Sequence, residues 1–146
     1  MRRLLASAVV LLSAAAFTVT LGNASNAAEV ALSPCAAYGE PPHLKPLSGT
    51  RLYATGTFTC ASAAPGMTVT VCIDESSTGT GPWWSRGCTT ATEYERVSSI
   101  SATEAASVPV YATFLRTRVH GSNANGGSAS FTTPPIFWFN CACYIG

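Results

Sequence analysis

Over residues 51–60 apolar and polar positions alternate, with Leu52, Ala54, Phe58 and Cys60 on one face and Arg51, Tyr53, Thr55, Thr57 and Thr59 on the other. A period of two predicts a half-buried β-strand. The stretch 67–75 repeats the pattern, offering Val69, Val71 and Ile73 to the core and Cys72 and Asp74 to the outer face. A turn-rich segment over 76–82, opening on Ser76 and closing on Pro82, separates it from renewed extended character over 83–90, which predicts a hairpin. A short strand is expected over 97–101. A longer one follows over 108–120, where Tyr111, Leu115 and Val119 alternate against Arg116, Arg118 and His120, and Phe114 breaks the pattern. Asn125 followed by Gly126 tolerates the positive φ angles of a tight turn and should lead into a strand over 128–132. Pro134 and Pro135 then interrupt pairing before a last, nearly continuous apolar strand over 136–144, whose Phe137, Trp138 and Phe139 are expected in the core.

No long segment has a period of 3.6. About seven short strands punctuated by turns predict an all-β fold, an immunoglobulin-like antiparallel β-sandwich. In true immunoglobulin domains the inter-sheet disulfide joins the second strand to the penultimate one, whereas Cys141 and Cys143 fall on the final strand here. The likeness is architectural and carries no function with it.

Before the strands, Arg2 and Arg3 precede an apolar run over 4–21 and a small polar stretch, the layout of a secretory signal peptide. Ser25 and Ala27 occupy the positions a signal peptidase examines, so cleavage is expected after Ala27, with Ala28 next. Residues 1–27 are therefore read as signal, 28–48 as a Pro-rich N-terminal arm lying irregularly or along an edge, and 49–146 as the sandwich. An uncleaved anchor is the competing reading, since eighteen mostly apolar residues reach the lower limit of a membrane span. With the signal removed, no stable membrane insertion is expected.

Composition narrows the partners. Charged residues are 10% of the 146 and the net charge is +1, turning slightly negative once Arg2 and Arg3 are removed, which excludes a polyelectrolyte chain and a basic nucleic-acid binder. Six cysteines, Cys35, Cys60, Cys72, Cys88, Cys141 and Cys143, are an even number in a chain expected to be exported, so three disulfides are the default. Register selects one of them: with Cys72 opposite Cys88, the hairpin centre falls at Thr80 inside the turn, and Asp74 stands opposite Arg86. Cys60 is then expected to join one of Cys141 and Cys143, and Cys35 the other. A metal site at Cys141 and Cys143 is disfavoured, because His43 and His120 are the only histidines and no C-x-x-C pair exists; neither metal nor cofactor is expected.

Catalytic groups are sparse. Common hydrolase and nucleotide-binding strings are absent, and Asp74 is the single aspartate. Glu93 and Glu95, two apart, would project from one strand face about 6.5 Å apart, within reach of a glycoside hydrolase pair, although the same residues suit a solvated strand edge better. Trp83 and Trp84 follow a Gly-Pro turn and should point to opposite faces; an exposed one would be a ligand-binding residue for sugar, peptide or protein, while the favoured reading packs one into the core and sets the other over the Cys72–Cys88 disulfide. Arg116, Arg118 and His120 read as a solvated basic stripe.

The Ala-rich signal, low charge, abundant Thr and Ser, and cysteine-stapled strands give the chain a resemblance in style to small uncharacterised secreted proteins of high-GC Gram-positive bacteria. That resemblance implies export and little else. The sequence thus supports a secreted, extracellular, non-catalytic module that binds a protein, a cell-wall glycan or its own copy. A protease or hydrolase inhibitor presenting the 76–82 loop is the alternative, and a small glycoside hydrolase is the second alternative.

Overall fold

The computed structural model describes residues 34–45 and 50–139. The predicted signal segment, Cys141 and Cys143 lie outside the described residues. Among the described residues nine strands follow one another without a helix: β1 (Cys35–Gly39), β2 (His43–Leu44), β3 (Arg51–Ala64), β4 (Met67–Ser76), β5 (Trp84–Glu93), β6 (Val97–Ser107), β7 (Thr113–Ser122), β8 (Ser128–Thr132) and β9 (Ile136–Trp138). They form two antiparallel sheets. In the first sheet β3 is flanked by β6 on one edge and by β1 and β2, end to end, on the other. In the second the order is β5, β4, β7, with β8 and β9 end to end along the far edge of β7.

Counting each end-to-end pair as one broken ribbon recovers the seven strands expected. Pro41 and Pro42 break the first ribbon, and Pro134 and Pro135 break the second. Proline has no N–H to donate to the ladder, so each ribbon stops pairing and resumes after its break. The resulting order of a three-strand sheet against a four-strand sheet is that of an immunoglobulin-like sandwich.

The core is the set the alternation marked. Leu52, Ala54 and Phe58 from β3 face Val69, Val71 and Ile73 from β4 and Leu115 and Val119 from β7, all fully buried. The sheets approach so closely at β7 that a Cβ on Gly121 would stand 2.2 Å from the Phe58 ring. The Asn125–Gly126 turn forms as expected, with Gly126 at φ 83°.

Both described disulfides lie within a sheet, joining directly opposed residues of neighbouring strands: Cys72–Cys88 across β4 and β5, and Cys35–Cys60 across β1 and β3. The first is the pair that register selected. The second corrects the expected links from Cys35 and Cys60 to Cys141 and Cys143. Cys35 sits on a regular strand paired to β3 over five positions, so the N-terminal arm carries its own staple. Asn123 then joins the sheets, its amide donating to the Sγ atoms of Cys60 at 3.3 Å and Cys35 at 3.5 Å while its Oδ1 accepts from the Asn125 and Gly127 N–H groups.

Two other expectations are overturned. The strand read over 97–101 extends to Ser107, because Ala102 and Ala106 continue the inward alternation and pair along β3. The strand read from residue 108 begins only at Thr113, leaving Tyr111 in the preceding connection and exposed.

Candidate functional site

The β4–β5 hairpin keeps the predicted register from Met67–Glu93 to Ile73–Gly87 and then shifts by one residue, so that Asp74 opposes Ser85 and Glu75 opposes Trp84. Arg86 is the extra residue. A bulge of this kind reverses the side-chain parity of the strand beyond it. The expected Asp74–Arg86 pair therefore does not form. Arg86 turns to the carboxylate of Glu75 and, through Nη2, donates to the carbonyl and hydroxyl of Ser107, each at 3.1 Å.

Glu75 shares the inner parity of Val69, Val71 and Ile73 and is fully buried. Burial opposes its ionisation, but hydrogen bonding from Arg86, and secondarily from Thr113 and Tyr111, outweighs it and holds the carboxyl below its ordinary value. The Glu75 Oε1 and Arg86 Nε atoms find no geometrically good partner. Asp74, on the other face, accepts from Arg118 Nε at 2.9 Å and Nη2 at 3.2 Å, with Arg116 3.5 Å away. The basic stripe is thus tied to one buried carboxylate, and His120 bonds the Ser130 hydroxyl. Adjacent acids on opposite faces each hold arginine.

Around this double ion pair one end of the second sheet is rich in aromatics. Phe114 and Arg116, two apart on β7, share its outer face; Arg116 lies 4.0 Å over the Trp83 ring, and Phe114 lies 5.1 Å from Phe137 at a tilt of 58°. Gly79 in the 76–82 loop comes against the Phe114 ring, where a Cβ would meet it at 2.9 Å. That loop is braced by Thr78, whose hydroxyl donates to the Gly81 carbonyl at 2.7 Å.

Neither tryptophan is buried. Trp83 is half-buried under Arg116, and Trp84, opposite Glu75, is 45% exposed. The aromatic run at the last strand also departs from expectation. Phe137 is 61% and Phe139 63% exposed, while Trp138 alone packs against the core. A three-residue edge strand covers one face only, so alternate residues remain outside.

Glu93 and Glu95 do not form a pair on one strand face. β5 ends at Glu93, whose carboxylate accepts the Glu95 N–H at 3.1 Å in the following turn. Among the described residues no group of three or more His, Cys, Asp or Glu side chains could hold a metal ion, and no helix is long and apolar enough to cross a membrane.

No protein-family model and no curated protein matches the chain. Among solved structures, a crystal structure described as a candidate ApaA protein from Bordetella pertussis is similar at 11% identity, covering 73% of this chain and 91% of that one with a TM-score of 0.38. A structural-genomics target designated SoR45 is similar at 10% identity, covering 80% and 92% with a TM-score of 0.32. Likeness at this level assigns no function.

Proposed function

We propose that the protein is an exported, non-catalytic module that binds another protein through the aromatic end of its second sheet. One observation carries the reading: Phe137 and Phe139 stand largely in water, and the Phe137 ring packs on Phe114, which with Trp83 is half-buried, at the end of a disulfide-bridged sheet. Contiguous exposed aromatics mark contact surfaces. A protein partner is favoured over a glycan because Arg116 covers one face of the Trp83 ring and the two phenylalanine rings are tilted, leaving no flat platform for a sugar. Two disulfides joining residues far apart in sequence suit an oxidising compartment, in keeping with the expected signal peptide.

The test is retention. The immobilised protein is offered extracellular proteins from its own culture, and in parallel is sedimented with peptidoglycan. The expected result is retained protein, lost in Trp83→Ala/Phe137→Ala, with no sedimentation. Retention that survives the substitutions, or binding to the glycan alone, overturns the reading.

A second reading rests on the brace at Thr78. A loop fixed in advance costs less entropy on entering an enzyme cleft, as an inhibitor requires. It predicts inhibition of at least one protease, weakened by Thr78→Ala; a panel without inhibition removes it.

A further inference from the structure

The two described disulfides stand in opposite surroundings. Cys35 and Cys60 share the inner parity of Ala37 and Phe58, so their bond lies between the sheets. The Asn123 amide donates to both sulfurs, and Gly127 passes so close that a Cβ there would stand 2.9 Å from the Cys35 Sγ. Cys72 and Cys88 instead share the parity of Asp74, Thr70 and Thr90 and bridge on the outer face of the second sheet. Cys72, on the inner strand β4, is only 3% exposed. Cys88, on the edge strand β5, is exposed, and the exposed Ser85 donates its hydroxyl to the Cys88 Sγ at 3.2 Å.

Thiol–disulfide exchange is an in-line displacement, in which the incoming thiolate approaches one sulfur from the side opposite the other, so access decides which sulfur is attacked. The Cys72–Cys88 bond runs across the strands, because the two residues are directly opposed. An approach to Cys72 comes from the side of β7, where Arg118 stands opposite it in register. An approach to Cys88 comes from beyond β5, which pairs with no described strand on that side. The group expelled by attack at Cys88 is the Cys72 thiolate. Arg118 is its neighbour, and Arg118 and Arg116 together set two guanidinium charges against the single carboxylate of Asp74. A surplus cation stabilises a thiolate and makes it the better leaving group.

We propose that Cys72–Cys88 is an exchange site for a low-molecular-weight thiol, which attacks the Cys88 Sγ and leaves Cys88 reversibly thiolated. The incoming thiolate forms a new S–S bond to Cys88 as the Cys72–Cys88 bond breaks, and the electron pair of that bond departs on Cys72, which takes a proton from water. Cys72 stays beside Cys88 on the neighbouring strand, so removal of the external thiol lets it displace the adduct and restore the staple. The exchange holds whether or not the aromatic end binds a protein.

The test is made on the full chain with both described disulfides formed. It is incubated with excess glutathione, quenched in acid at graded times and mapped by peptide mass without reduction. The expected result is glutathione on Cys88 with Cys72 as a thiol, while Cys35–Cys60 stays intact. Arg118→Gln should slow this opening roughly threefold, the effect of a one-unit rise in thiol pKa at a Brønsted slope near 0.5, without changing the rate at Cys35–Cys60. Should resealing keep the adduct too scarce to map, opening by dithiothreitol, read as alkylation of each cysteine pair, must be at least about tenfold faster at Cys72–Cys88 than at Cys35–Cys60. An adduct on Cys72, earlier opening of Cys35–Cys60, or equal rates at the two bonds overturns the proposal.

Discussion

The two broken edge ribbons solve one problem in two ways. On each, a pair of prolines stops the ladder, and the exposed strand is cut into pieces too short to template pairing with other chains. The N-terminal ribbon is then covalently fixed by Cys35–Cys60, although it too exposes large side chains, Tyr38 and Leu44. The C-terminal ribbon has no described staple and presents Phe137 and Phe139 to water. One edge is stapled, and the other has no staple among the described residues.

Thr117 holds both breaks. Its hydroxyl donates to the Glu40 carbonyl at 2.5 Å in the first break; its N–H donates to the Thr133 hydroxyl, and its carbonyl accepts the Thr133 N–H, both at 2.9 Å, in the second. Thr117 and Thr133 are buried, so their own groups cannot turn to water instead.

The largest effect should come from cutting the stapled edge. Cys35→Ser/Cys60→Ser should lower stability by about 2–5 kcal/mol, the usual result of removing a native disulfide from a small domain; denaturant unfolding measures it, and near-wild-type stability would show that the N-terminal ribbon is held mainly by its ladder. The two breaks can be separated next. Thr117→Val should cost about 0.5–1.5 kcal/mol, the net worth of its hydrogen bond to the Glu40 carbonyl, and should speed hydrogen exchange at the Glu40 amide, which otherwise donates to Thr55 at 3.0 Å. Thr133→Val should cost a similar amount while leaving the Glu40 amide protected. Exchange accelerated at Glu40 by both substitutions would mean the edges open as one unit.

Acid should act at the aromatic end. The pKa of Glu75 is depressed in the folded protein, so its contribution is complete above the unfolded value near 4.5 and is lost as pH falls through the lower folded value. Glu75→Gln should therefore flatten the stability profile below pH 4.5, and an unchanged acid slope would assign acid sensitivity elsewhere. The smallest effect on stability belongs to Phe137→Ser, roughly 0.5 kcal/mol for a mostly exposed side chain, with partner retention lost nonetheless.

Where polarity alternated, the sequence was informative. The residues 51–60, 67–75 and 115–119 announced their inner faces, and one cysteine pair with one turn set the hairpin register over seven rungs. The bulge at Arg86 left no such mark, because inserting a residue between two otherwise regular stretches changes parity without changing composition. Glu75 carried the missed signal: its parity matches Val69, Val71 and Ile73, so it had to be buried and in need of a cation. Phe137, Trp138 and Phe139 could not be sorted by periodicity, since an unbroken apolar run has no alternation to read. The two prolines before them were the clue that this strand lies at an edge, with one face uncovered.

Both described disulfides join cysteines that are consecutive in the chain, Cys35 to Cys60 and then Cys72 to Cys88. Each of these four thiols therefore finds its partner as its nearest neighbour along the chain, so a donor of oxidising equivalents acting on thiols in chain order makes these two bonds without reshuffling links among the four.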